Sequence, residues 1–309
     1  MMQTKPIILV TGATGGQGGS TVNALLSQNK FAVRALTRDP DSPKAKALRE
    51  AGVEVVRGDM EDIESLKIAM KGVYGVFGVT SFWEHWDKEF RQGKNLVEAV
   101  SQSGIGHFVF SALDNYSQLS QGRIAVPHYD MKAALKAYSK KLGLKASFIH
   151  LSFYYENFLT WFLPQRREDG NFYFGFPQGE VKLASVSVED TGPVVAKIFD
   201  HPTEYIGRSV YLVGADSNGE EYAATLSSVL GMNIYYNHVP REEFAKYGFD
   251  GADELAAMFE VQRLFVPERQ LGLIESYGLN PAMQSFEQWV GKNKEKFLDA
   301  LAKQLPQAV

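Results

Sequence analysis

The sequence predicts an α/β protein, a doubly wound parallel sheet with a smaller, interwoven C-terminal α+β domain. The first observation is that apolar β-forming segments alternate with helical segments from residue 7 to residue 151. The second is that these strands are near-continuous apolar runs, which is typical of strands covered by helices on both faces. The third is that the alternation stops after residue 153, where an aromatic-rich segment begins.

These observations predict two domains. The first is expected at 1–153, with 181–214 returning to it, and the second at 154–180 and 215–309. No repeat, low-complexity tract or clear linker separates them. The two domains are therefore expected to be interwoven along the chain rather than joined end to end.

The composition excludes several functional classes. The 309 residues carry a formal net charge of −4 and no cysteine, which excludes disulfide bonds, thiol catalysis and cysteine-ligated zinc. There is no basic block for nucleic acid, no apolar run near the roughly 18 residues that span a bilayer, and no signal peptide. The histidines lack metal-ligand spacing, so no metal is expected. These features favour a cytoplasmic protein without nucleic-acid or membrane contacts.

The first predicted strand, 7–11, runs directly into a glycine-rich turn, and a helical apolar pattern follows. Such a unit directs backbone N–H groups and the positive end of a helix at one point, where a diphosphate fits. Glycines allow the backbone to approach the phosphates. Glycine clusters also make ordinary turns, so the prediction depends on the strand and helix that flank this one. The predicted diphosphate-binding residues are Gly12, Ala13, Thr14, Gly15, Gly16, Gln17 and Gly18.

The second predicted strand, 31–37, ends about 20 residues after the turn, where such folds bind the adenosine ribose. Thr37 stands where an NAD site has a carboxylate, and Arg38 follows it. A guanidinium suits a 2′-phosphate, so NADP(H) is favoured and NAD(H) is the alternative. Asp39 and Asp41 weaken this prediction, and a solvated arginine at a strand end is the other interpretation of Arg38.

Regular alternation continues through the first domain. Asp59, after the third strand, is expected to accept from the adenine amino group, with Met60 packing on the ring. Thr80, Ser81 and Phe82 follow the fourth strand, at the edge where open α/β sheets bind ligands. The predicted helices are 44–51, 63–70, 89–103 and 128–141, and the strands are 53–60, 73–80, 107–111, 146–151, 181–188, 209–213 and 234–236.

The helix at 128–141 carries the candidate catalytic residues. In short-chain dehydrogenases a Ser, a Tyr and a Lys act together, and the Tyr lies four residues before the Lys. Here His128 is four residues before Lys132, and Tyr129 is three before it. Lys132 is expected to bind the nicotinamide ribose, while His128 and Tyr129 either donate a proton or only shape the pocket. Ser111, at the end of the fifth strand, either lines this pocket or is an ordinary strand-end serine.

Several motifs together resemble one family. They are Thr-Gly-Ala-Thr-Gly-Gly-Gln-Gly-Gly at 11–19 and the segments 37–40, 58–59, 80–84, 91–94, 128–132, 155–159, 162–164, 188–193, 221–224, 247–249 and 251–252. With these residues the chain resembles the NmrA-like group of atypical short-chain dehydrogenase/reductase proteins. It looks most like the NmrA-like family domain-containing proteins described as NADPH sensors.

The resemblance implies a Rossmann-type domain that holds NADP(H) through the turn, Arg38, Asp59, the 80–82 loop and Lys132. It adds a further group of cofactor-binding candidates after the sixth strand, Tyr154, Tyr155, Glu156 and Asn157, and Arg91 on the helix at 89–103 is another candidate. The family lacks the tyrosine of the triad, which agrees with His128. The sensor branch tends to have basic residues after the arginine, whereas Asp41, Ser42 and Pro43 stand here.

Two functions remain open from the sequence. The favoured one is an NADP(H)-binding regulatory protein with little or no turnover, whose conformation, dimerisation and contacts with a regulated protein follow the NADPH/NADP ratio. The alternative is an NAD(P)H-dependent reductase of a carbonyl, quinone or activated alkene. In that case Lys132 would act with His128 or Tyr129, and aromatic residues after 153 would form an apolar pocket.

Overall fold

The computed structural model describes residues 5–85, 88–266 and 270–304. The chain divides into two compact units, the first with residues up to 115, 128–150 and 188–211, and the second with 116–127, 151–187 and residues from 212 onward. The domain boundaries expected from the sequence stay a prediction, because compactness does not test whether either part folds alone.

Strands and helices alternate through the first half of the chain. The strands are β1 Ile7–Val10, β2 Ala32–Thr37, β3 Glu54–Arg57, β4 Val73–Gly78, β5 His107–Ala112, β6 Ala146–Leu151, β7 Phe153–Tyr154, β8 Gln165–Arg166, β9 Phe172–Phe176, β10 Leu183–Val186, β11 Ser209–Leu212, β12 Ala215–Ser217 and β13 Ile234–His238. The helices are α1 Gly16–Gln28, α2 Pro43–Glu50, α3 Ile63–Ala69, α4 Phe82–His85, α5 Glu89–Gln102, α6 Tyr116–Leu119, α7 Pro127–Lys141, α8 Thr191–Asp200, α9 Pro202–Tyr205, α10 Gly219–Leu230, α11 Arg241–Phe244, α12 Ala252–Phe265, α13 Gln270–Leu279, α14 Phe286–Lys292 and α15 Lys294–Ala302.

The first unit is built on a seven-stranded sheet in the order β11-β6-β5-β4-β1-β2-β3. The pairings from β3 to β6 are parallel. The strand order reverses between β1 and β4, and open α/β sheets bind ligands at such a switch point, beyond the carboxyl ends of the strands. The predicted doubly wound parallel sheet is therefore confirmed.

Helices cover both faces of this sheet, as the alternation along β5 shows. Phe108 belongs to the core cluster that includes Leu96 of α5 and Leu135 of α7. The neighbouring His107 points to the other face, where its ring packs 5.3 Å from that of Phe199 in α8. Apolar residues are needed on both sides of such a strand, which explains the near-continuous apolar runs in the sequence.

The first helix is fixed by close contact with α8. A Cβ added at Gly192 would lie 2.1 Å from the backbone oxygen of Ser20, so a larger residue does not fit there. The backbone N–H of Gly192 also donates to Oγ of Ser20 at 2.9 Å. This packing holds the helix that follows the glycine-rich turn.

The second unit contains two three-stranded sheets, β12-β10-β7 and β13-β9-β8, with helices α10 to α15. The sequence analysis predicted no strand in the aromatic-rich segment, but β9 lies there. Phe172, Phe174 and Phe176 alternate inward along it, and Phe176 stacks on Phe259 of α12 with ring centroids 4.9 Å apart. Within the described residues, no helix combines the length and apolar character that crossing a membrane requires.

Candidate functional site

The glycine-rich turn connects β1 to α1 in the first unit. The N–H of Gly15 donates to the carbonyl of Gly12 at 2.9 Å, and a Cβ at Gly18 would lie 2.2 Å from that same carbonyl oxygen. No side chain caps the start of α1, and its first turn contains no acidic residue. The N–H groups and positive dipole of this helix end suit an anion.

The remaining residues of the turn differ in exposure. Ala13 is buried, Gln17 is half-buried, and Thr14, Gly15 and Gly16 are exposed. The turn is tied to the end of β4 by Thr11, whose hydroxyl donates to the carbonyl of Val79 at 3.1 Å and accepts from its N–H at 2.8 Å. The turn and the loop that begins at residue 79 therefore meet at the switch point of the sheet.

Two exposed cations, Arg38 and Lys44, are candidates for binding a 2′-phosphate. Arg38 follows β2, is exposed, and forms no ion pair among the residues that the structure describes. The ammonium of Lys44 in α2 lies 3.5 Å from the carbonyl oxygen of Thr14. The carboxylate of Asp39 accepts from the N–H of Asp41 at 3.0 Å. A 2′-phosphate bound here would find Arg38 without an acidic partner.

The predicted adenine site follows β3. Asp59 is exposed, and its Oδ1 accepts from the N–H of Glu61 at 2.9 Å. Met60 is half-buried and packs against the core. Arg91 forms an ion pair with Glu61 at 3.1 Å, so its guanidinium is held at this end of α5. The sequence analysis did not identify Glu61 as its partner.

A buried cluster of charged and polar groups surrounds Lys132. Its Nζ donates to Oε1 of Glu89 and to the hydroxyl of Thr80, each at 2.6 Å, and to the carbonyl of Thr80 at 3.0 Å. The Thr80 hydroxyl donates to the same Oε1 at 2.6 Å. Glu89 is fully buried, and Thr80 and Lys132 are 7% and 8% exposed. The attraction between opposite charges is strong here because little water screens it.

Aromatic rings lie at the start of α7 and on α4. The ring of His128 is 5.6 Å from that of Phe82, 5.4 Å from that of Trp83 and 4.8 Å from that of Tyr129. His128, Tyr129 and Phe82 are buried. Ser81 precedes α4 and is half-buried. Lys132 lies one helical turn from His128, so the imidazole and the ammonium share one face of α7.

Ser111 lies on β5, one residue before the strand ends, and it is buried. In the register of the sheet it is opposite Ile149 of β6. The structure thus places it near the carboxyl edge of the sheet, as the sequence indicated. Whether it lines a pocket stays a prediction.

Residues 154–157 belong to the second unit. Tyr155 is fully buried: its hydroxyl donates to the carbonyl of Gln284 at 3.3 Å, and its ring is 5.2 Å from that of Phe286. A carboxylate oxygen of Glu156 accepts from the Ser187 hydroxyl at 2.9 Å. The carbonyl of Asn157 accepts from the N–H groups of residues 160 and 162, and Tyr154 ends β7. Their roles in cofactor binding stay predictions, and the Tyr155 ring belongs to the core.

Sequence reasoning missed Glu89. It lies nine residues after Thr80 and opens a helix, where an acidic residue ordinarily faces solvent and interacts with the helix dipole. No local signal distinguishes a buried glutamate from an exposed one at that position. The described residues contain no group of His, Asp or Glu side chains that could hold a metal ion.

Comparisons with known proteins agree with this fold. A model of the NmrA-like family matches residues 4–289. The NmrA-like family domain-containing oxidoreductase FrzB from Cladobotryum sp is 30% identical over 293 residues, which cover 85% of this chain and 87% of that protein.

Two solved proteins share the fold. NmrA, a negative transcriptional regulator solved in complex with NADP, has a TM-score of 0.81 at 22% identity, and the match covers 98% of this chain and 99% of that one. Its complex with NAD has a TM-score of 0.82 at 21% identity, with the same coverage. An NADPH-dependent quinone oxidoreductase from Escherichia coli, complexed with NADPH, has a TM-score of 0.77 at 21% identity. The match covers 93% of this chain and 99% of the oxidoreductase chain.

Proposed function

We propose that this chain, which belongs to the NmrA-like family, binds NADP(H) and acts as a regulatory protein with little or no turnover. Its conformation would then follow the NADPH/NADP ratio. The observation that carries the proposal is the uncapped first turn of α1 behind the glycine-rich turn, with Lys44 beside it and Arg38 exposed after β2. This arrangement offers N–H groups to a diphosphate and two cations to a 2′-phosphate.

The solved relatives support a nicotinamide dinucleotide as the ligand. NmrA has been solved with both NAD and NADP, and the quinone oxidoreductase with NADPH. The preference of this chain for NADP(H) rests on Arg38, because its guanidinium has no acidic partner among the described residues. Asp59 and Met60 are the proposed adenine contacts.

Low turnover is supported by the nicotinamide end of the predicted site. His128 occupies the place of the usual tyrosine, is 7% exposed and packs against Phe82 and Trp83. The ammonium of Lys132 is bonded to Glu89 and Thr80. A reductase needs a proton donor that reaches the substrate, and a buried imidazole packed among aromatic rings suits that role poorly.

The test is a calorimetric titration of NADPH, NADP, NADH and NAD into the wild type, Arg38→Ala and the control Lys46→Ala. Lys46 is exposed and lies on the same helix as Lys44. We expect NADP(H) to bind more tightly than NAD(H), with the difference lost only in Arg38→Ala. NADPH consumption is then measured with quinones and aldehydes. Rapid, sustained consumption would contradict the regulatory function, and equal affinities would contradict the cofactor preference.

A second candidate function is an NAD(P)H-dependent reductase of a carbonyl, quinone or activated alkene. It is favoured by the aromatic side chains of Phe82, Trp83, His128 and Tyr129, since such rings stack on planar substrates. Relatives named as oxidoreductases support it. Lys132 would bind the ribose, and His128 or Tyr129 would donate the proton. If Lys132→Ala and His128→Ala leave a measured reductase rate unchanged, this candidate is wrong.

The regulatory function also requires a response that a partner can detect. We propose that binding of NADPH or NADP changes dimerisation or the contacts with a regulated protein. Light scattering coupled to size exclusion, with each nucleotide in turn, measures the first of these. A mass that is the same with NADPH, with NADP and without nucleotide would leave only the protein contact as the response.

A further inference from the structure

The hydrogens of the Lys132 ammonium match the acceptors around it one for one. An ammonium has three donors, and Nζ of Lys132 contacts three oxygens: Oε1 of Glu89, Oγ1 of Thr80 and the carbonyl of Thr80. The head group is therefore held in one place in the first unit. Its charge is balanced by one carboxylate, that of Glu89, which is fully buried.

The two oxygens of Glu89 are used unequally. Oε1 accepts from both Lys132 and Thr80, whereas Oε2 is buried and has no hydrogen-bond partner in the described part of the chain. A buried carboxylate with an unsatisfied oxygen is unfavourable unless a nearby charge compensates it. Stability of α5 does not explain this arrangement, because an exposed glutamate would interact with the helix dipole equally well.

We propose that Glu89 is a positioning residue of the nicotinamide-ribose site: it balances the charge of Lys132 and holds its ammonium against the carbonyl of Thr80. The inference rests on the proposed binding of NADP(H) and adds a residue to it. A ribose hydroxyl that accepts from Lys132 would replace one of the three present contacts. Glu89 would stay paired with the remaining hydrogens of Lys132 and with the Thr80 hydroxyl.

The charge of Glu89 can be separated from its shape. Glu89→Gln keeps an acceptor for Lys132 and Thr80 but removes the counter-charge. Burial disfavours an ammonium that has no counter-ion, so the variant should hold the positive charge at Lys132 less firmly than the wild type does. NADP would then bind the variant progressively more weakly as the pH rises, over a range in which the wild type keeps its affinity.

The experiment compares two ligands. NADP contains the nicotinamide ribose, whereas adenosine 2′,5′-bisphosphate contains only the adenosine end. Both are titrated calorimetrically from about pH 6.5 to about pH 9.5. For Glu89→Gln we expect NADP to bind about tenfold more weakly at the alkaline end, and the bisphosphate to bind as it does to the wild type.

The matched control is Glu98→Gln. Glu98 lies on the same helix, contacts the Tyr138 hydroxyl at 3.0 Å and the ammonium of Lys94 at 3.6 Å, and lies outside the proposed site. Its substitution should leave both affinities and both pH profiles unchanged. Glu89→Asp, which keeps the charge on a shorter side chain, should weaken NADP but retain the pH profile of the wild type.

Each other result overturns the inference in a distinguishable way. Unchanged NADP affinity and pH profile in Glu89→Gln would show that Glu89 does not act on the ribose site, while NADP binding by the wild type would stand. Equal weakening of both ligands would show a merely structural role. A wild type that binds neither NADP nor NAD would remove the proposed function and this inference together.

A second variant covers the case in which Glu89→Gln does not fold. Glu89→Gln combined with Lys132→Met leaves no charge in the cluster, so a buried ion pair is replaced rather than broken. If Glu89 acts only through Lys132, NADP binds this double variant as it binds Lys132→Met. A further loss of about tenfold in the double variant would show that Glu89 acts independently of Lys132, and would contradict the proposal.

Discussion

The two ends of the predicted dinucleotide site are built in opposite ways. At the adenosine end, main-chain groups of the glycine turn and the exposed cations Arg38 and Lys44 stand open. At the nicotinamide end, Lys132, Glu89 and Thr80 are buried and bonded to one another. The first end is ready for an anion, whereas at the second end all three hydrogens of the Lys132 ammonium already contact protein oxygens.

This difference assigns different tasks to the two ends. If NADP(H) binds as proposed, the open, positively charged end would supply affinity and would distinguish NADP from NAD, because a phosphate adds contacts that a hydroxyl does not. Because all three hydrogens of the Lys132 ammonium are already used, a ligand can bind this group only by replacing one of its present contacts. If the protein is a sensor, the response is therefore expected from the nicotinamide end.

The largest effect is expected for Gly18→Ala. A Cβ at this position would lie 2.2 Å from the carbonyl oxygen of Gly12, so the backbone of the turn must shift. We expect NADP affinity to fall by about 1,000-fold or more, to below detection, since the N–H groups lose their alignment. Calorimetry measures the loss, and circular dichroism verifies the fold. Retained affinity would show that the turn does not hold the diphosphate.

The next largest effect is expected on the pH dependence of stability, through His107. It tests whether a buried side chain without a counter-ion, unlike Lys132, loses its charge. His107 is fully buried beside Ser147, without a carboxylate within ion-pair distance among the described residues. Burial lowers its pKa from 6.5 to about 4. Between these values the unfolded chain binds a proton that the folded chain does not, so the free energy of unfolding decreases as the pH falls from 6.5 to 4. The contribution is fully present above the higher value and amounts to about 3 kcal/mol.

Chemical denaturation of the wild type and His107→Gln, across that pH range, measures this contribution. Glutamine keeps a donor for the Ser147 hydroxyl but does not titrate. The wild type should lose more stability than the variant on acidification. Identical pH dependence in the two proteins would show that His107 binds its proton equally well in the folded and the unfolded chain, and that burial without a counter-ion does not suppress charge here.

A smaller effect is expected for Arg38→Ala. Loss of a charge-assisted contact should weaken NADP by about tenfold, and NAD should bind as before. Competition between NADP and NAD in one titration measures the ratio of their two affinities directly. If both weaken equally, Arg38 supports the turn rather than the 2′-phosphate, and the adenosine end does not select between cofactors.

The smallest effect is expected for Lys44→Ala. Its ammonium is exposed and already lies beside the carbonyl of Thr14, so its attraction for a phosphate is screened by water. We expect NADP to bind about threefold more weakly, with the effect reduced by added salt. Lys46→Ala provides the comparison on the same helix. Salt-independent weakening would indicate a direct bond to the ligand instead.

The glycine-rich turn could be predicted from the sequence, whereas the cluster around Lys132 could not, for a physical reason. Glycine spacing and strand periodicity are local properties, so the turn and the parallel sheet follow from neighbouring residues. The cluster at Lys132 joins residues from the end of β4, from α5 and from α7, which only the tertiary fold brings together. The same reason explains Tyr155, whose ring contacts residues more than a hundred positions away.

The strand β9 was not predicted from the sequence for a different reason. Its residues alternate inward and outward with a period of two, which is the ordinary signal for a strand. Many aromatic residues lie between 154 and 180, and aromatic residues are frequent in any core. The period of two in β9 was therefore not distinguished from a general aromatic core segment.

The contact between Gly192 and Ser20 has a consequence for the entropy of binding. It fixes α1 against α8 without a ligand, so a diphosphate bound at the turn would contact N–H groups that have already lost their conformational freedom. The entropy cost of ordering the protein then falls almost wholly on groups that must exchange contacts, those around Lys132. The heat capacity and entropy changes of NADP binding should therefore differ little between the wild type and variants of Arg38 or Lys44. They should differ strongly from the wild-type values in variants of the cluster around Lys132.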